Sequence, residues 1–283
     1  MSSLISHGSA RALSAIATVL WLGVASGQDV QRDAPNLSNI WVGTLTSLED
    51  PRWPIENFLC NMCTLTAFER LRELLNDPAQ SERSLDQLQA EARALDKKTI
   101  EGLLTQGGLA AQAGFDQLED PVLQCKPVGL IYQIRGALPM KLEQSKDKIV
   151  LRYELFNAER TVYMDGRAHP SPLKPSRLGH SIGWWDGPTL VIDSVGFEPN
   201  IFLPSTVPGM RTTDQARSIE RYTLSDDGQK LQLALTVVDP KLFRRPLELT
   251  YLFLSSPGDE LQHFECDPPA GSGEAASSDV DQK

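Results

Sequence analysis

Between Arg217 and Val238 the chain reads "RSIERYTLSDDGQKLQLALTVV", and no other stretch restricts the fold as much. In its second half Leu231, Leu233, Leu235 and Val237 alternate with Gln232, Ala234 and Thr236. Side chains two apart share one face of a strand, so this segment has one apolar and one polar side. Asp226-Asp227-Gly228 between the two halves is a hairpin signal. The alternation recurs elsewhere. "KIVLRYELF" sets Ile149, Leu151, Tyr153 and Leu155 against Val150, Arg152, Glu154 and Phe156, "RTVYMD" follows, and "LELTYLFL" is a later strand. Upstream, "NIWVGTLTS" (Asn39 to Ser47) reads as the first. About nine or ten short strands in series, with no helices between them, point to an antiparallel meander. Closing it removes the exposed sheet edges, so the expected fold is mainly β, an antiparallel β-barrel rather than a sandwich.

One segment breaks the pattern. Over 65–106 the period changes from strand to helix. Leu65, Phe68, Leu71, Leu74 and Leu75 fall on one stripe, and Asn76-Asp77-Pro78 ends it. Leu85, Leu88, Ala92, Leu95, Ile100 and Leu103 form a second stripe, stopped by Gly107 and Gly108. This predicts an inserted α-helical hairpin near the N-terminus, its leucines committed to packing.

The chain ends point to a compartment. Residues 1–27 carry one basic residue, Arg11, then an apolar run from Ala12 to Ala25 that is too short for a membrane span, then small residues. A secretory signal peptide over 1–27 is expected, which makes the mature protein periplasmic or secreted, with no membrane insertion after cleavage. Residues 268–283 are small and acidic with nothing to bury, so a disordered tail is expected. The span 28–267 fits one barrel domain with its helical insert. The net charge is -10, without a basic patch, which argues against nucleic acid and anionic membrane surfaces. The oligomeric state leaves no mark in the sequence.

Cys60, Cys63, Cys125 and Cys266 all lie past the signal segment. In an oxidising compartment they read as two structural disulfides, with three possible pairings. The favoured arrangement ties the Cys60/Cys63 segment to Cys125 and Cys266, stapling the helical region and the C-terminal strand to the body. Thr64 stands where a c-type haem site needs histidine, and the βαβ setting of a thioredoxin-like site is missing. The second cysteine pair is no zinc knuckle. No cofactor is indicated.

The densest chemistry lies in "RTVYMDGRAHP" and "GHSIGWWDGPTLVIDSVGF". Asp186-Gly187 is a preferred centre for a two-residue type I′ turn. On that register Trp185 faces Pro188, Trp184 faces Thr189, Ile182 faces Val191 and His180 faces Asp193. One face then carries His180, Ile182, Trp184, Thr189, Val191 and Asp193. Asp193 would orient His180 and raise its pKa, giving a general acid or base that lines the main cavity. The alternative is a satisfied polar pair that only fixes the hairpin. His169, bracketed by Gly166 and Pro170, reads as turn support, with Asp165 as a cap. His263 carries no signal. "GHSIG" has the spacing of a nucleophile elbow, but Ser181 sits within a strand and points away from His180. His169, His180 and Asp193 could meet at a metal, but strand spacing does not enforce it, and none is expected.

"YMDGRAHP", "GHSIGWWDGPTLVIDSVGF" and "SIERYTL", with "QCKP" at Cys125 and "FEC" at Cys266, resemble a widespread family of secreted bacterial proteins without an assigned activity. The resemblance covers roughly 125–266. It implies a lipocalin-like or nitrobindin-like antiparallel barrel. It supplies no reaction, but it marks Asp165, Arg167, His169, His180, Trp184, Asp193 and Glu220 as the site candidates; with the hairpin reading above, His180 and Asp193 are the catalytic candidates and the others binding candidates. The helical insert and the Cys60/Cys63 pair depart from the family's pattern. The functional expectation is a barrel that handles a small, largely apolar molecule. It would act either as a lyase, isomerase or cyclase, or as a non-catalytic ligand-binding or structural interaction protein.

Overall fold

The computed structural model describes residues 34–43, 60, 62–135, 138–199, 207 and 209–267. The expected signal peptide 1–27 and tail 268–283 lie outside the described residues, as does most of the first strand's expected second half. Nine strands close into one barrel in chain order. They are β1 (Asn39–Val42), β2 (Met140–Gln144), β3 (Lys148–Tyr153), β4 (Ala158–Tyr163), β5 (His180–Asp186), β6 (Thr189–Val195), β7 (Arg217–Leu224), β8 (Lys230–Val238) and β9 (Leu247–Ser255). The alternation places Leu231, Leu233, Leu235 and Val237 of β8 inside, each at most 1% exposed. Each such burial contributes about 1.5–3 kcal/mol. Ile149 and Leu151 of β3, and Leu190 and Ile192 of β6, join the same core.

The ring is not wholly antiparallel. β4 and β5 run parallel, paired only through Val162↔Ser181 and Tyr163↔Ile182. Parity requires one such pair: a ring of nine strands returns to its starting direction only if an even number of neighbours are antiparallel. A parallel pair also needs a crossover of about a dozen residues or more. Segment 164–179, which carries "MDGRAHP", is that crossover. The topology therefore lays this motif over one of the barrel's two shortest seams.

The helical hairpin forms as expected, from α1 (Leu65–Asn76) and α2 (Leu85–Leu103). Ser84 and Gln87 cap α2 reciprocally. Leu71, Leu74, Leu88 and Ala92 share a small core with Cys60 and Cys63. Asp96, fully buried on α2, accepts the Thr64 amide at 2.7 Å and so secures the start of α1. The insert also protects an edge. β1 covers β9 only at Leu254 and Ser255, and Thr64 bridges to Leu249 while the Thr250 amide donates to the Cys63 carbonyl. Two further helices follow, α3 (Gln106–Ala113) and α4 (Leu130–Arg135).

The cysteine pairing needs correction. Cys60 bonds Cys63, and Cys125 bonds Cys266. The tight turn before α1 brings the Cα atoms of Cys60 and Cys63 to 5.4 Å, so that pair closes locally instead of reaching the barrel. Only the second bridge staples the C-terminal segment to the body.

Candidate functional site

The β5–β6 hairpin does not turn at Asp186-Gly187. Asp186 pairs with Thr189, so Gly187-Pro188 is the two-residue loop. Gly187 has φ of +59° and Asp186 does not have a positive φ. Proline holds φ near −65°, which excludes a type I′ centre but suits the second position of type II′, with glycine at the first. Asp186 is thereby released to accept from Arg221 at 2.6 Å. The register moves by two residues: His180 faces Val195, and Ile182 faces Asp193. A shift of two preserves the face, so His180 and Asp193 still share a side of the sheet, but as diagonal rather than opposed neighbours.

That side is not the barrel interior. Leu190 and Ile192 belong to the core, and Trp185 packs against it, so alternation sends His180, Ile182, Trp184 and Asp193 outward. The expected lining of the barrel cavity by His180 and Asp193 is therefore corrected to a site on the outer wall, beneath the crossover. Ser181 points inward, away from His180, and bonds Ser194 at 2.8 Å. Gly183, also inward, leaves room that a Cβ would lose, 2.7 Å from Met164 Sδ.

The diagonal gap between His180 and Asp193 holds His169. Its Nδ1 lies 2.8 Å from His180 Nδ1, and its Nε2 lies 3.5 Å from Asp193 Oδ2. That Nε2 is buried and has no hydrogen-bond partner. Asp193, only 5% exposed, accepts two hydrogen bonds of 2.7 Å from Arg217 Nε and Nη2. Tyr163 stacks on His180 with ring centroids 5.3 Å apart, and the Arg167 guanidinium sits 3.9 Å over the Tyr163 ring. Asp165 accepts from Arg167 Nε at 2.8 Å and from its amide at 3.3 Å, so it does cap the turn at Gly166. The hydrogen bond from Arg167 holds the Asp165 carboxyl below its ordinary range. Burial, then the neighbouring His169 and Arg167, lowers the His180 pKa, which keeps that ring neutral at neutral pH. The expected rise in its pKa is thus reversed, because Asp193 touches His169 and not His180.

Five of the candidates, Asp165, Arg167, His169, His180 and Asp193, come together here. Trp184 stands on the same outer face, 46% exposed, but about 13 Å further along the strand at about 3.3 Å per residue. Glu220 is inside the barrel, fully buried. Its two oxygens accept from Arg160 Nη1 and Nη2 at 2.7 and 2.8 Å, and Tyr222 donates to it at 2.9 Å. Burial opposes the charge on Arg160, but Glu220 outweighs that and holds its pKa above the ordinary value. Burial also raises the Tyr153 and Tyr222 phenols.

The two clusters meet at a groove of about 450 Å³ where β4 and β5 part. Tyr163, His180, Arg160, Ser181, Arg177 and Glu198 are among the residues that line it. Among the described residues no group of three or more His, Cys, Asp or Glu side chains is placed to hold a metal ion.

Tyr163, Arg217 and Arg160 escaped the sequence reading. Arg160 had a signal: it shares strand parity with Val162, as Glu220 does with Tyr222, so opposite charges point into one core. No model of a known protein family matches the chain, and no curated protein matches it.

Proposed function

We propose that the chain is a secreted or periplasmic barrel protein whose working site is the outer groove at the β4–β5 seam. There Asp193, His169 and His180 form an acid/base array toward a small molecule. Two disulfides fit an oxidising compartment. The 2.8 Å contact between the two imidazoles, beside a buried carboxylate, carries the reading. A carboxylate favours an N–H opposite it, which assigns the His169 proton to Nε2 and makes its Nδ1 an acceptor. His180 then donates from Nδ1, leaving its Nε2 with a free lone pair. When His180 takes a proton there, the charge is shared along His169 toward Asp193. The groove is lined mostly by polar side chains, so a polar molecule fits it better than a largely apolar one.

The non-catalytic alternative has its own support. Asp193 is already held by Arg217, and an array so fixed can orient a bound ligand without moving a proton. A thermal-shift screen of small polar compounds on wild type and His180→Ala tests the site. Compounds that stabilise only the wild type support it; equal stabilisation of both places the binding elsewhere. Turnover of a stabilising compound then separates enzyme from binder.

A further inference from the structure

We propose that the groove where β4 and β5 part takes the backbone of a short extended peptide, added as a strand along the free edge of β4. This rests on the seam being the working site, and names the class of molecule it holds. β4 pairs with β3 along its whole length, from Ala158 to Tyr163, but with β5 only at Val162 and Tyr163. The direction of each backbone group follows from the ladder. One residue past its end, the Met164 amide donates to the Asp147 carbonyl on the β3 side. Hydrogen-bonded pairs recur at every second residue of an antiparallel ladder, so Val162, Arg160 and Ala158 also bond β3. Glu159, Thr161 and Tyr163 therefore turn their N–H and C=O groups toward β5. The two parallel bridges engage the Tyr163 groups and the Thr161 carbonyl. The Glu159 N–H and C=O and the Thr161 N–H meet no strand, and among the described residues no loop bonds them. Both residues line the groove. A strand edge with unpaired groups is a template for a further strand.

The parallel seam sets the peptide's direction. β4 and β5 run the same way, so one strand between them runs antiparallel to both, which the ring of nine cannot achieve by itself. A peptide residue opposite Glu159 exchanges two hydrogen bonds with it, and the carbonyl two residues earlier in the peptide accepts from the Thr161 N–H. The edge is open to such a partner. Arg152 Nε, on β3, donates to the Glu159 carboxylate at 2.9 Å and draws it away from the seam. Among the lining side chains Arg160 and Arg177 balance Glu159 and Glu198, so an uncharged backbone meets no opposing net charge. Main-chain pairing gives the affinity, and alternate side chains of the peptide give the specificity.

The test is backbone NMR on the nitrogen-15-labelled protein, with an acetylated and amidated pentapeptide of alternating threonine and valine as the probe. The Glu159 and Thr161 amide signals are expected to move downfield saturably and to exchange with solvent several-fold more slowly. The Arg160 and Val162 amides, already bonded to β3, are expected to move little. N-methylacetamide carries the same groups without strand order and should shift Glu159 and Thr161 several-fold less. Thr161→Pro removes the N–H on the groove side, at an edge position where proline is tolerated, and is expected to abolish the Glu159 shift. No saturable shift, an equal shift at Arg160 and Val162, an equal response to N-methylacetamide, or an undiminished Glu159 shift in Thr161→Pro each overturns the proposal. The wild-type readings decide it even where the variant does not fold. Such a failure leaves the imidazole array standing, because that array is read from its own protons without a ligand.

Discussion

His169 Nδ1 lies 2.8 Å from His180 Nδ1, joining a crossover loop to the first residue of β5 beside a seam of only two residue pairs. Two ring nitrogens at that distance must share one proton. The contact is possible because the hairpin register leaves His180 and Asp193 diagonal, with space for a third ring between them.

Asp193→Asn is expected to change His169 more than it changes stability. The variant weakens two charged hydrogen bonds to Arg217, but that side chain is half exposed and remains solvated, so the loss should be about 1–3 kcal/mol. His169 loses its carboxylate neighbour, and its proton should be less firmly held at Nε2, read as a mixed tautomer signal in long-range proton–nitrogen correlation spectra. A His169 tautomer signal unchanged from wild type would count against the array.

Acid should destabilise the fold through His180. Its folded pKa is depressed by burial and by His169 and Arg167. A depressed folded pKa contributes stability that is present above the unfolded value, about 6.5, and is lost as pH falls through the folded pKa. The Tm of the wild type should therefore drop more steeply below about pH 6.5 than that of His180→Asn. Parallel Tm curves for the two proteins would contradict this.

Inside the barrel, Glu220→Gln keeps the volume but leaves the Arg160 charge buried without its partner. The expected cost is about 3–5 kcal/mol in urea unfolding. Replacing both, Arg160→Met with Glu220→Leu, should recover most of it, because the desolvation of two charges is removed together. A loss under about 1 kcal/mol for Glu220→Gln would show that the pair is not fully desolvated.

The two disulfides should differ in weight. Cys125–Cys266 closes a long loop, with a sequence separation of 141, and Cys60–Cys63 a separation of 3. Loop-closure entropy gives about 5 kcal/mol for the first and about 2 kcal/mol for the second. Serine replacement of each pair, followed by denaturant unfolding, checks the order. Thiol titration of unreduced, denatured wild type should find almost no free thiol.

The barrel was legible because alternation is a local signal: β8 shows its apolar face in four leucine and valine positions. The helical hairpin was legible for the same reason at another period. The parallel seam was not, since it follows from ring parity, which needs the whole strand count. The hairpin register was hidden by one residue: Asp186-Gly187 signals a type I′ turn, but Pro188 selects type II′ and moves the turn to Gly187-Pro188. The side of the wall failed too, because outward residues look core-like when a crossover covers them, as it does Asp193. Arg217 and Tyr163 join the site through neighbouring strands and carry no motif of their own.

The most direct measurement is the tautomeric state of both rings, read from long-range proton–nitrogen correlation spectra of the protein at neutral pH. His169 is expected to be protonated at Nε2, and His180 at Nδ1 with a bare Nε2 and an apparent pKa below its ordinary value. His180 protonated at Nε2, with an ordinary or raised pKa, would mean that it offers the groove a proton donor instead of a base, and would contradict the account.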